Sequence, residues 1–246
     1  NDAAQTRVHD VTTAEASLTL RYAPGESFVN SKQRRIPVSL DAPIFTLTHA
    51  MGFKGVLGGE YSFNRTEASV WKRFWLPSSW GKIDCSIKAG AEWNTVPFPL
   101  LILPEANLSY ITQRETFNLI NNMEFLNDRF ASVSLSYDMN GKLFNRIPLI
   151  KNLKWREMFR VRALWGTLTD KNNPFKSSNP DLFRFPMRDG KFTSFVMDPK
   201  IPYVEASVGI YNIFKLLHIE YVHRFTYRDN PGINKNGVRF MVLMAF

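Results

Sequence analysis

The chain has 246 residues and a mass of 28.4 kDa, with 44% hydrophobic and 14% aromatic residues and 31 Lys+Arg against 22 Asp+Glu, a net charge of +9. That length suits one or two domains with a sizeable core, and the apolar content excludes a disordered chain. A single cysteine, Cys85, excludes an internal disulfide framework and a thiolate zinc cluster, and the basic surplus favours anionic partners. Three classes stay open: an all-β soluble protein, a nucleic-acid binder and an outer-membrane barrel. A membrane helix needs about 18–20 consecutive apolar residues. The best run, Val96 to Leu103, is short and holds two prolines, and the mean hydropathy is −0.22. Residues 1–13 are polar and lack a signal-peptide core; they read as a leading loop, with the chain expected to be the C-terminal part of a longer protein.

Period two, the signature of strands, runs through the rest. The expected strands, in chain order, are 14–24, 42–52, 60–75, 82–93, 113–126, 129–139, 155–167, 202–211, 215–227 and 237–246. In 60–75 the phase slips between Phe63 and Ala68, as at a bulge. In 82–93, Ile83, Cys85, Ile87, Ala89, Ala91 and Trp93 face one way and Lys82, Asp84, Ser86, Lys88 and Glu92 the other. In 155–167, Phe159, Val161, Ala163 and Trp165 alternate with Arg156, Arg160 and Arg162. The last strand aligns Val238, Phe240, Val242, Met244 and the terminal Phe246 on one face. Each segment is about ten residues long, the length that a tilted membrane strand needs.

The connections sort imperfectly into long and short. Residues 25–41, 168–201 and 228–236 read as long external loops, with 76–81 and 127–128 as short exceptions; 53–59 and 212–214 read as turns at the other end. There, 94–112 and 140–154 are too long for turns, and each is expected to form a short helix or tucked segment.

The two faces differ in chemistry. Aromatic residues sit near strand ends on the apolar face: Trp93, Tyr137, Trp155, Trp165, Phe225, Tyr227 and Phe246. They match interfacial girdles of a lipid-facing surface. The other face mixes Arg156, Arg160, Arg162, Glu205, His218, Glu220, Arg224 and Arg239, a set able to pair across strands inside a lumen. The expected fold is therefore an all-β, antiparallel transmembrane barrel over 14–246, about ten strands and conceivably part of a larger one.

No metal or phosphate motif occurs. Of the four histidines, His9, His49, His218 and His223, none has metal-helix spacing. His49 and His223 read as girdle residues, and His218, Glu220 and Arg224 as a hydrogen-bond network rather than a catalytic set. Gly55 to Gly59 lacks the lysine and helix of a phosphate loop. Trp71-Lys72-Arg73-Phe74-Trp75 is the one basic-aromatic cluster; it reads as an interfacial anchor, so no nucleic-acid partner and no cofactor is expected.

Several runs carry a family resemblance: Val96-Pro97-Phe98-Pro99-Leu100-Leu101, Asn107 to Tyr110, Glu124-Phe125 with Asp128-Arg129, Asn145 to Lys151, Gly209 to Leu217, and Gly237-Val238-Arg239-Phe240. In order and spacing they resemble the C-terminal barrel of a Bacteroidota outer-membrane family of unknown function, whose larger members carry an N-terminal carboxypeptidase-regulatory-like domain. The resemblance implies an outer-membrane location, and contact with lipids, lipopolysaccharide, TonB-dependent transporters or other surface complexes. It carries no catalytic residues. The function expected is that of a non-enzymatic barrel acting as pore, transport accessory or scaffold; the alternatives are a barrel hydrolase and a soluble barrel binding an apolar ligand.

Overall fold

Nine of the alternating segments form one antiparallel sheet in the computed structural model, which describes residues 10–242 other than 31, 33, 114, 177, 180, 181 and 189. The strands are β1 (Glu15–Tyr22), β2 (Ile44–Gly52), β3 (Phe63–Trp75), β4 (Lys82–Glu92), β5 (Arg129–Asp138), β6 (Arg156–Thr167), β7 (Tyr203–Ile213), β8 (Leu217–Arg224) and β9 (Asn236–Val242). Each pairs with its neighbours in sequence, so the sheet is a meander. It is open: β1 and β9 are its two edges and do not pair with each other. Part of the β9 edge is covered, since the Phe240 N–H donates to the Tyr110 carbonyl at 2.9 Å and the Thr112 N–H donates to the Phe240 carbonyl at 2.8 Å.

Burial is inverted relative to a water-soluble sheet. On β6, Arg160, Arg162 and Leu164 are buried, while Phe159, Val161 and Trp165 are exposed. On β8, His218, Glu220 and Arg224 are buried, while Ile219 and Tyr221 are exposed. The outward apolar row continues through Leu18 and Leu20 on β1, Leu47 on β2, Val70 on β3, Ile87 on β4, Leu135 on β5, Val208 on β7 and Val238 and Phe240 on β9, all exposed. A contiguous apolar surface of that extent marks a contact with something apolar.

The apolar core lies instead on the polar side of the sheet, where connections fold back over it. Phe63, Val96, Leu101, Leu126, Leu168 and Phe185 form one cluster. Phe117, Ile120, Phe125, Leu164, Met197 and Tyr203 form a second. Two sequence expectations fail here. Residues 113–126 are not a strand; with 93–112 they make a single inserted segment, 93–128, between β4 and β5, holding isolated bridges and a short 3-10 turn at Phe98–Leu100. The phase slip in β3 is not a bulge: its register with β2 and β4 is continuous, and Phe63 points inward to join the inserted segment's core. The irregularity lies between Ile210 and Ile213 on β7.

Losing one expected strand reverses the parity of the earlier connections. Residues 53–62, 93–128, 168–202 and 225–235 leave one end of the sheet, and 23–43, 76–81, 139–155 and 214–216 leave the other. The 93–128 segment thus shares an end with 168–202, contrary to the expectation that 94–112 lies opposite, and 127–128 is no separate connection. The 23–43 connection, expected beside 168–202, leaves the opposite end and carries a small hairpin of 28–30 with 35–37. The 139–155 connection carries one short helix, α1 (Pro148–Leu153).

Candidate functional site

The buried polar face of β6–β9 is a lattice of charges, and strand register builds it. Arg162 lies opposite Glu205, and Glu205 opposite Arg224. Glu220 lies opposite Gly209 on one side and Arg239 on the other. Arg160 reaches across β7 to both oxygens of Glu220 at 2.8 Å. Glu220 also accepts from Ser207 Oγ, and His218 Nε2 lies 3.3 Å from it. Arg162 Nη1 donates to Glu205 at 3.2 Å. Burial of unpaired charge would cost several kcal/mol per ion, so this pairing is what lets these side chains lie inside.

The lattice grips the inserted segment. Glu205 accepts the backbone N–H groups of Asn118 at 2.9 Å and Leu119 at 3.1 Å, and the Tyr203 hydroxyl at 2.9 Å. Arg224 donates to both carboxylate oxygens of Glu124, at 2.6 and 3.1 Å, and to the Leu119 carbonyl at 3.2 Å. Its guanidinium also stacks on Tyr203, 4.8 Å from the ring centre. Arg239 donates to the Asn118 carbonyl. An extended segment without a strand partner must satisfy its backbone groups somehow, and here charged side chains of the sheet do so.

A second clasp holds the start and end of the segment. Asp128 accepts the Thr169 N–H at 3.1 Å, the Thr169 hydroxyl, and Asn172 Nδ2 at 3.0 Å. Asn172 Oδ1 in turn accepts the Val96 N–H at 2.8 Å. Lys171 Nζ donates to the Trp93 carbonyl at 2.7 Å. Two strand glycines let the segment come close. A Cβ on Gly166 would stand 2.2 Å from Asn127 Oδ1, and one on Gly237 2.9 Å from Leu119 Cδ2.

The sequence-derived polar set is thus mostly assembled in one place. Arg160, Arg162, Glu205, His218, Glu220 and Arg224 are buried together, and Arg239 borders them half-buried. Arg156 stands apart, exposed, with its guanidinium 5.9 Å from the Tyr211 ring centre. Among the aromatic set, Trp93, Trp165 and Phe225 are exposed near the end with the long connections. Trp93 Nε1 donates to Thr66 Oγ1 at 2.9 Å, which also bonds His49 Nδ1 at 2.9 Å, and His223 packs edge-on to Phe225. Tyr137 and Trp155 are half-buried near the opposite end. Tyr227 does not share the outward face. Its ring packs on Phe125, its hydroxyl donates to the Ile201 carbonyl at 2.7 Å, and burial pushes its phenol above the ordinary value. Phe246 and His9 lie outside the described residues.

Glu124, Asp128 and Asn172 join the site without belonging to the alternating set. For Glu124 and Asp128 the one local signal is polarity at the ends of a non-alternating stretch, Glu124 to Asp128; Asn172, in a polar run, has none. In Trp71 to Trp75, Arg73 is already committed. It pairs with both oxygens of Asp84, at 2.6 and 2.9 Å, and its guanidinium lies 5.5 Å from the ring centres of Trp71 and Trp75. Among the described residues no three metal-ligating side chains group together. Ser207 bonds Glu220, His218 Nε2 also faces Glu220, and His223 Nδ1 faces Asn236 Oδ1 at 2.6 Å.

A search of the curated proteins finds no match. A family model does match, over residues 1–175, a range that takes in β1 to β6 and the whole inserted segment. On that match, the chain belongs to the family described as a family of unknown function (DUF5686), C-terminal domain.

Proposed function

We propose that this chain is the wall of an outer-membrane β-barrel, closed by strands outside the described sheet, and that its polar face is a lumen filled by residues 93–128. The observation that carries the reading is the inverted burial: a charge lattice inside that holds three buried Arg–Glu pairs, and an apolar row outside. In water that arrangement sacrifices hydrophobic stabilisation; against lipid it is the expected one. The outward aromatics add to it. Phe74 and Tyr137 stand in register on either side of Ile83 near one end, and Trp93, Trp165 and Phe225 are near the other. From Ile83 to Trp93 the strand rises about 33 Å, or about 25 Å across a bilayer at the usual tilt, the height of a barrel's apolar band.

The filled lumen favours a scaffold or transport accessory over an open pore. Partners suited to this reading are outer-membrane lipids, lipopolysaccharide and other barrel proteins such as TonB-dependent transporters. The soluble-barrel alternative needs the apolar face inside, and the hydrolase alternative needs a nucleophile on His218 or His223; neither has support in the arrangement described above. The test is fractionation with and without detergent, followed by gel mobility before and after boiling. Detergent-dependent solubility with a heat-dependent shift is expected. Full solubility without detergent overturns the reading.

A further inference from the structure

We infer that the 139–155 connection is a binding site for an anionic phospholipid, with the headgroup phosphate in a recess beside Trp80 and the acyl chains along the exposed face around α1. The inference deepens the membrane reading and rests on it for the lipid's presence.

The connection is chemically one-sided. Between Met139 and Trp155 it carries Lys142, Arg146, Lys151 and Lys154 and no carboxylate. Two acids flank it. Asp138 accepts the Asn140 N–H at 2.9 Å and is already engaged by the Tyr211 hydroxyl at 2.6 Å and by Lys82 at 3.6 Å, and Glu157, 4% exposed, accepts the Leu143 N–H at 2.7 Å. Glu157 has the parity of outward-facing Phe159 and Val161, so the connection folds over the apolar face at this rim, where lipid headgroups would lie. It also presents apolar side chains to the outside. Leu149 is 83% exposed, and Leu143, Ile147 and Leu153 are each at least 40% exposed. An aliphatic patch interleaved with unopposed cations is the composition that binds an anionic membrane interface.

Within it is a recess of about 400 Å³ lined by Ser79, Asn140, Lys142, Asn145 and Arg146. Lys142 Nζ is held by the Ser78 carbonyl at 2.8 Å and lies 5.2 Å from the Trp80 ring centre, and the Arg146 guanidinium lies 5.9 Å from the same ring. Arg146 has no carboxylate partner among the described residues. Two cations braced on one indole, with a hydroxyl and two amides around them, offer a phosphate charge-assisted hydrogen bonds.

The test is calorimetric titration of the full-length protein in a nonionic detergent with dihexanoyl-phosphatidylglycerol, dihexanoyl-phosphatidylcholine and inorganic phosphate. Phosphatidylglycerol is expected to bind best. K142A/R146A should weaken it roughly 30-fold, as expected for removing two cations at an anionic headgroup. L149E should also weaken it, while K191A/K200A at the opposite end should not. Because Lys142 braces the 76–81 turn, R146A alone, at an exposed side chain, gives a second reading and should weaken binding several-fold. Equal affinity of wild type and both variants overturns the site. Inorganic phosphate binding as tightly as the lipid, or phosphatidylcholine matching phosphatidylglycerol, overturns its assignment to an anionic lipid. Detergent dependence is scored on the same preparation: a detergent-dependent protein without selective binding loses this site and keeps the membrane reading, and a detergent-free soluble protein loses the membrane reading whatever the titration shows.

Discussion

The two halves of the polar face use the same side-chain chemistry to different ends. Near the long connections, Glu124, Glu205 and Arg224 are almost fully buried, and every one of them bonds both to another charge and to the inserted segment or its flanks. Near the other end, Arg73 with Asp84 and Lys82 with Asp138 pair strand to strand, are partly exposed, and meet strand side chains such as Trp71, Trp75 and Tyr211 rather than the inserted segment. The difference teaches that a charge pair takes on a second task where the segment meets it. Charges on neighbouring strands pair in either half, and Arg160 with Glu220 is buried by such pairing alone; Glu205 and Arg224 also hold the backbone of residues 93–128.

That contrast is open to direct attack. The largest effect is expected from E124A, which leaves Arg224 buried without its carboxylate; it should cost about 3–5 kcal/mol in equilibrium unfolding in detergent. V208K tests the opposite surface: in a bilayer it should cost about 2–4 kcal/mol, whereas in a soluble protein an exposed substitution would be nearly neutral, so unfolding in lipid vesicles separates the two. G166V drives a side chain into Asn127 and should cost about 1–3 kcal/mol while raising proteolysis within residues 93–128, read by limited digestion. The smallest effect is expected from D84N, where the partly exposed pair with Arg73 contributes up to about 1 kcal/mol. Equal losses for E124A and D84N would erase the distinction between the halves.

Strand positions and faces were largely legible in the sequence, because alternation is a local property: Arg160 and Arg162 against Phe159 and Val161 needs only a few residues to read. The inserted segment was not. Its backbone groups bond to Glu205, Arg224 and Arg239, which lie on strands far along the chain, so 113–126 imitates a strand within its own window. Phe63 misled for the same reason, since an inward apolar residue on a polar face looks like a phase slip until its partners Val96 and Leu101 are known. The lattice residues on strands are readable, whereas Glu124, which meets Arg224 from the inserted segment, and Asp128, which binds Thr169 and Asn172, are hidden with it.

The grip on residues 93–128 also sets an order of events. The contacts that seat the segment join residues 87 apart for Glu205 and Asn118, 100 apart for Arg224 and Glu124, and 121 apart for Arg239 and Asn118. The Arg73–Asp84 pair spans only 11. Closing long loops costs more chain entropy than closing short ones, and distant contacts form late. The β3–β4 hairpin can therefore form while the inserted segment still hangs free, and the segment can dock only after β7, β8 and β9 have arrived. Its docking therefore reads the register of the last three strands: an error in one of them would displace Glu205, Arg224 or Arg239 from the segment, while the Asp128–Asn172 clasp still held its ends.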